Sequence, residues 1–439
     1  MARNPRRTPS RSRPPAADPP APPANGQQEI GHPVFAQPRP TPDPQRFEVI
    51  HPSDAAAYRA IDALNREHKL FPLPFPPPRG GPEPRLTLAD AFGADGAHAV
   101  QRITTQGQIV FHSVGDTGNT RGPDPQNLVA DKLVSDFAET EPKELPQFFF
   151  HLGDVIYNFG EARYYYDQFY DPYRDYPAPI LALAGNHDGV VAPETNTPSL
   201  RAWLDNFCEA EFVVTPEAGG LSRTAQIQPG VFFTFEAPFV RILALYSGTL
   251  EDPGVIADDR LGDGQLTFLQ TALNRIKSEN YGGALIIAHH HPAYTAGSKH
   301  GWSIEMLAQI DAACEAAGVW PHAVLSAHAH NYQRFTRARG ATQIPYVIAG
   351  NGGHGLARLS RRNEARPRTP AVIQQAGNGV DQVILENYDD ADYGYLRLIV
   401  TAEQLRIEYH PASDGDAVRT PDDFVTVDLA TRRLVHFTG

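Results

Sequence analysis

Between residues 105 and 350 the chain alternates short, densely apolar runs with stretches of helical spacing. The runs are QIVFHSV (108–114), QFFFHLG (147–153), PILALAG (179–185), VRILALYSG (240–248), GALIIAH (283–289), AVLSAHAH (323–330) and IPYVIAG (344–350). Each is too short for a stable helix, and several are apolar on both faces, as strands covered on both sides are. Between them, apolar residues recur at Leu128, Leu133, Val134 and Phe137, and again at Leu266, Leu269, Leu273 and Ile276, which predicts two amphipathic helices. Such alternation predicts an α/β layer structure. Near the end, YGYLRLIVTAEQLRIEYH (393–410) alternates about a turn and predicts an antiparallel hairpin.

The first hundred residues have a different texture. Residues 1–46 are mostly Pro, Ala and Arg, with seven arginines against three acids and few large apolar side chains. Such a segment buries too little surface to offset its ordering entropy, so it is expected to be a disordered tail. Its prolines suit a partner that reads polyproline helices, although nothing else in the sequence supports one. From Ser53 a short helix is expected, with Ser53 and Asp54 at its start and Tyr58, Ile61 and Leu64 on one face. The prolines and glycines of FPLPFPPPRGGPEPR (71–85) then break the chain again. Residues 47–104 therefore read as an arm over a catalytic domain spanning 105–439.

Composition narrows the function. The 439 residues are 41% apolar and 20% charged, with a net charge of −13. That acidity argues against duplex nucleic acid as a partner, because such binding rests on neutralising phosphates with Lys and Arg. A small anion remains compatible if cations supply the positive charge. The two cysteines, Cys208 and Cys314, exclude a disulfide framework. No apolar run reaches transmembrane length, so no membrane partner is expected. Arg6-Arg7 is not followed by an apolar segment, so no export signal is read and a cytoplasmic location is expected.

The candidate chemistry lies at the ends of the strands. One run ends in Gly115-Asp116, another in Gly153-Asp154, and a third in Gly185-Asn186-His187-Asp188. Two more end in His289-His290-His291 and in His328-Ala329-His330. The carboxyl ends of strands are where side chains converge in α/β folds. Carboxylates, an amide and imidazoles together suit iron, zinc or manganese better than calcium. The donors are too many for one tetrahedral ion, which suggests two metals sharing a bridging carboxylate.

The order Gly-Asp, Gly-Asp-x-x-Tyr, Gly-Asn-His-Asp, His and His-x-His resembles the calcineurin-like metallophosphoesterases, and among them the purple acid phosphatases. The motifs are GDTG (115–118), GDVIY (153–157), GNHD (185–188), the His289–His291 triplet and AHAH (327–330), and the likeness spans roughly 105–410. It implies a four-layer α/β-β/α sandwich preceded by the Pro-rich tail. It further implies one metal held by Asp116, Tyr157 and His330, a second by Asn186, His290 and His328, and Asp154 bridging them. The metals implied are Fe(III) with a divalent Fe, Zn or Mn. His290 is chosen from the triplet because the family's ligand stands two residues before a Pro, here Pro292. His187 is implied over the site, against phosphate or leaving group, with Asp188 orienting it, and His300 as an outer histidine. Two departures, Ala327 for Gly and Ile287 for Val, remove no ligand.

The resemblance thus implies hydrolysis of small phosphate monoesters by a metal-bound hydroxide, with protonated His187 donating to the departing oxygen. The alternatives are a phosphodiesterase or nucleotide hydrolase on the same scaffold, an inactive scaffold, or an interaction protein acting through the tail. Five arginines between Arg358 and Arg368 are a candidate contact for a second substrate phosphate, or else a solvated basic loop.

Overall fold

A computed structural model describes residues 32–36, 52–66, 75–192, 197–248, 254–259, 261–297, 300–360, 364–377 and 380–435. Apart from His32–Ala36, the Pro-rich tail lies outside the described residues. The helices are α1 (Pro52–Arg66), α2 (Leu88–Ala91), α3 (Gly96–Gln106), α4 (Asp124–Ser135), α5 (Asn186–Gly189), α6 (Arg201–Phe207), α7 (Gly264–Ser278) and α8 (Ile304–Ala317). The first eight strands are β1 (Arg85–Thr87), β2 (Gln108–Val114), β3 (Pro146–His151), β4 (Ile180–Ala182), β5 (Phe233–Ala237), β6 (Val240–Ala244), β7 (Ala284–Ala288) and β8 (Ala323–Ser326). Then come β9 (Tyr332–Arg339), β10 (Thr342–Ala349), β11 (Ala371–Gln374), β12 (Gln382–Asp389), β13 (Gly394–Thr401), β14 (Gln404–Pro411), β15 (Asp423–Asp428) and β16 (Arg433–Leu434). None of the described helices is long and apolar enough to cross a membrane.

The strands form two sheets. One runs β16-β15-β14-β13-β2-β3-β4, and the other β1-β5-β6-β7-β8-β10-β9-β12-β11. β2, β3 and β4 are parallel neighbours, as are β6, β7 and β8, so in both sheets a block of strands delivers its carboxyl ends to one edge. The sheets pack face to face through fully buried side chains. The Phe148 ring of β3 meets Phe235 of β5 at 4.9 Å between centroids. The result is the expected α/β sandwich with helices against the sheets.

The helices form where the spacing predicts them. α7 buries Phe268, Leu269, Ala272, Leu273 and Ile276 along one stripe. α8 begins at Ser303, whose hydroxyl accepts the Met306 N–H at 3.2 Å, and stops at Gly318 in the left-handed region at φ 66°. The phase of α4 differs from expectation. Its buried face is Val129, Ala130 and Leu133, and Leu128 is exposed because it lies on the opposite side of the turn. β9 is a strand that apolar counting does not find, since Arg334, Arg337 and Arg339 interrupt it. Arg337 is buried there by pairing with Asp311 and Asp381.

The arm is bound to the body at several points. β1 adds to the nine-stranded sheet parallel to β5. Arg275 of α7 pairs with Glu83 just before it, at 2.7 Å. In α1, Ala57, Tyr58 and Ile61 pack against the core, while Leu64, expected on the same face, is exposed. Within the tail, the Val34 carbonyl accepts the Thr224 N–H at 3.0 Å.

One buried carboxylate ties α4 to the sheet behind it. Asp136 accepts from His112 Nε2 at 2.9 Å, from the Tyr395 hydroxyl at 2.8 Å and from Arg419 at 2.9 Å. Burial pushes this carboxyl up, but His112, Tyr395 and Arg397 outweigh it and hold it at about 2. The resulting stability is fully present above the ordinary carboxylate value of about 4 and disappears as the pH falls toward 2, amounting to roughly 2 kcal/mol. Asp136→Asn is therefore expected to lower the melting temperature at pH 7, with the gap to the parent closing below pH 4. A constant gap across that range would show that the charge is not the stabilising feature.

Candidate metal centre

The five strand ends converge where the two sheets share an edge. Asp116, Asp154 and Asn186 follow β2, β3 and β4 of one sheet, whereas His290, His328 and His330 follow β7 and β8 of the other. All six are buried. Four of them sit on a left-handed backbone, at φ 53° for Asp116, 52° for Asp154, 64° for His328 and 50° for His330. For residues with a Cβ this conformation costs roughly 1–2 kcal/mol each, and such outliers gather at functional sites. It turns each side chain out of its strand toward the common edge. The glycines that precede them answer a space requirement. A Cβ on Gly185 would stand 2.1 Å from Asp154 Oδ1, and one on Gly153, itself at φ 93°, 2.7 Å from His290 Nδ1.

Tyr157 settles toward the same point. Its hydroxyl lies 2.8 Å from Asp116 Oδ1, 2.9 Å from Asp154 Oδ2 and 3.5 Å from His330 Nε2. The backbone beneath is clamped by Gln168, which accepts the Tyr157 N–H and donates to its carbonyl, both at 2.8 Å. A tyrosine that merely packed would not aim its hydroxyl between two carboxylates.

Backbone carbonyls decide which ring nitrogens face inward. His290 Nδ1 donates to the Leu152 carbonyl at 2.8 Å, leaving Nε2 toward Asp154 Oδ2 at 3.2 Å. His330 Nδ1 donates to the Gly355 carbonyl at 3.1 Å, leaving Nε2 3.6 Å from Asp116 Oδ1. Fixing the outer nitrogen on a carbonyl is how proteins orient metal-binding imidazoles. His328 and Asn186 are more telling. Both ring nitrogens of His328 and both amide atoms of Asn186 are buried without a hydrogen-bond partner among the described residues. Such orphaned groups are costly unless something absent satisfies them. Single donor atoms of Asp154, His290 and His328 lie within 4.8 Å of one another, close enough for one cation.

The charges are equally unbalanced. Burial pushes the Asp116 carboxyl up despite His290 nearby, and it pushes Asp188 up with help from Asp154. Burial also raises Asp154, but His290 and His187 overcome it and hold that carboxyl well down. Burial, with the two aspartates beside it, drives the Tyr157 phenol well up. Burial and four surrounding histidines keep His328 neutral. Added positive charge would relieve the raised Asp116, Asp188 and Tyr157, and Asp154 and His328 are already held in the ionised and neutral forms that bind cations, so the oxygen donors, imidazoles and orphaned amide together fit transition-metal cations.

Around this centre the other expected residues fall as follows. His187 lies over Tyr157 at 4.2 Å between ring centroids, and its Nδ1 donates to the Asn158 carbonyl at 2.7 Å. Asp188 departs from its expected role. Its carboxylate accepts the backbone N–H groups of Gly185 at 2.8 Å and Val155 at 3.1 Å, so it braces the loops after β3 and β4, and the Asn158 carbonyl orients His187 instead. His300 stands 4.6 Å from His328 and 4.8 Å from His330 between ring centroids. His291 is buried against Ser247 and His328. In the basic loop, Arg358 and Arg366 pair with Asp390 rather than reaching the centre, and Arg361 and Arg362 lie outside the described residues.

Two residues at the centre carried no sequence signal. His354, in the loop after β10, stacks on Tyr157 at 3.7 Å and 13° between planes, with its backbone N–H donated to the Asp116 carbonyl at 2.9 Å. Tyr58 arrives from α1 and bonds His187.

Solved structures with related folds are distant. GAP50, described as the anchor in the inner membrane complex of Plasmodium, aligns at 12% identity and TM-score 0.48, over 71% of this chain and 87% of its own. PhoD aligns at 13% identity and TM-score 0.43, over 76% and 72%. A dimetal phosphatase from Danio rerio aligns at 11% identity and TM-score 0.37, over 73% and 99%. No curated protein matches the sequence. Residues 112–332, just over half of the chain and spanning Asp116 to His330, match the family profile described as calcineurin-like phosphoesterase, and the chain belongs to that family.

Proposed function

We propose that this phosphoesterase hydrolyses small phosphate monoesters at a two-metal centre of the purple acid phosphatase kind. The observation that carries the reading is the Tyr157 hydroxyl within 2.8–2.9 Å of both Asp116 and Asp154. In this proposal Asp116, Tyr157 and His330 would hold an Fe(III), Asn186, His290 and His328 would hold a divalent Fe, Zn or Mn, and Asp154 would be available to both. Such a pair of cations supplies Lewis acidity toward phosphoryl oxygens and lowers the pKa of water.

The chain's own residues then do the rest. The left-handed turns hold the carboxylates in place before any ligand arrives, so no reorganisation is needed when the ester binds. The buried walls exclude bulk water and strengthen each charge interaction inside. His187 stands beside the phenol of Tyr157 with Nδ1 fixed on a carbonyl, which leaves Nε2, now against the Tyr58 hydroxyl, as the nitrogen for phosphate or leaving group. Asp188 keeps the two aspartate-bearing loops in register, so its removal should act through Asp154 rather than through His187.

Three experiments test the proposal. In chelator-treated protein, Asp116→Asn removes one of two facing buried carboxylates and raises the melting temperature by roughly 2 °C. The same variant loses the further gain that Zn or Mn gives the parent; a variant still stabilised by metal would remove Asp116 from the ligand set. In steady-state assays the metal-loaded parent hydrolyses p-nitrophenyl phosphate at least about tenfold more efficiently than bis(p-nitrophenyl) phosphate, and His187→Ala costs about a hundredfold on an alkyl phosphate such as glycerol 2-phosphate but far less on p-nitrophenyl phosphate. A preference for the diester would favour the phosphodiesterase reading. In the iron-loaded, oxidised protein a visible band lost in Tyr157→Phe would assign the phenol to Fe(III), and an unchanged band would refuse it.

A further inference from the structure

The cleft beside His187 is closed by a residue from outside the family-matched segment. Tyr58 lies in α1, 129 positions upstream, yet its hydroxyl stands 3.1 Å from His187 Nε2. Its ring lies 4.6 Å from the imidazole at 30° between planes and 5.9 Å from Phe159 edge-on. The helix that carries it is seated by Ala57 and Ile61, which pack with Tyr58 against the core. His187 is consequently gripped at both nitrogens, by the Asn158 carbonyl at Nδ1 and by Tyr58 at Nε2. It is also flanked by the rings of Tyr58 and Tyr157, at 4.6 and 4.2 Å. A carbonyl can only accept, so Nδ1 carries the proton of the neutral ring, and the Tyr58 O–H donates to Nε2.

We infer that Tyr58 is a positioning residue for His187, and that the N-terminal arm is thereby part of the active site. A hydroxyl both donates and accepts, so it can face Nε2 whether that nitrogen is bare or protonated, holding the ring until an arriving ester takes the nitrogen's single in-plane site. The flanking rings limit the tilt of the imidazole, and a displacement of even 1 Å at such a group is costly to the reaction. The inference rests on His187 acting at the leaving group, as proposed above. Its consequence is therefore selective. Esters whose alcohol departs poorly depend on a well-placed His187, whereas those with an activated phenol depend on it little.

The test uses the full chain with Tyr58→Phe, which keeps the ring and removes the hydroxyl. The expected result is a fall in kcat of about tenfold on an alkyl phosphate such as glycerol 2-phosphate, with KM within about twofold, and little loss on p-nitrophenyl phosphate. In ¹⁵N-labelled protein the His187 Nε2 resonance, assigned through its absence in His187→Ala, is expected to shift in Tyr58→Phe. Equal losses on both esters, or a faster variant in which Tyr58 had merely been covering Nε2, would overturn the inference. So would an unmoved Nε2 resonance, which would mean that the arm does not hold the imidazole. A parent protein inactive on both esters would overturn the phosphatase reading, and with it the role in catalysis. The resonance would still report whether the contact exists.

Discussion

The centre depends on a burial problem that the protein does not solve with its own atoms. Asp116 and Asp154 stand fully buried on adjacent strand ends, joined by a phenol and by imidazoles held in place from behind. Desolvating two carboxylates this close is costly, and the neighbouring His290 helps to outweigh it at Asp154 but offsets only part of it at Asp116. Asn186 and His328 add polar atoms with no partner among the described residues. The left-handed backbone at four of these residues adds strain on top. Fold stability is set against all this by two interlocked sheets, whose apolar faces are continuous through Phe148, Phe150 and Phe235. The site is thus arranged as a receptor for positive charge, and the two-sheet architecture is what makes the arrangement rigid.

That architecture also explains why much of the site was legible from the chain alone. A buried parallel strand has a uniform apolar signature, so its end is easy to find, and the polar residue that follows is conspicuous. Asp116, Asp154, Asn186, His290, His328 and His330 all stand at such ends. What periodicity misses is polar groups that satisfy one another across the fold. β9 is hidden by Arg337, whose charge is balanced by Asp311 and Asp381 from elsewhere in the chain. Asp188 follows a histidine and reads as its partner, yet its carboxylate turns inward to backbone N–H groups of two loops. His354 belongs to a glycine-rich loop with no pattern to mark it, and only the close return of that loop past Asp116 brings it onto Tyr157.

The arm extends the same lesson to distance. Its helix could be expected from Ser53 and the spacing of Tyr58 and Ile61, but not its destination. Glu83 and β1 anchor the arm to α7 and to the nine-stranded sheet, and α1 is seated separately by its apolar face. A segment without any of the family motifs therefore contributes a polar group to the cleft they form. This is a place where members of one fold family can differ in selectivity while the strand-end residues stay the same.

The most direct measurement is the metal content of the chelated protein after reloading and removal of excess ion, compared between the parent and Asp154→Ala. A shared carboxylate at the middle of the centre predicts about two transition-metal ions per chain in the parent and loss of both in the variant. A parent that retains one ion or none, or a variant that keeps two, would contradict the two-metal account.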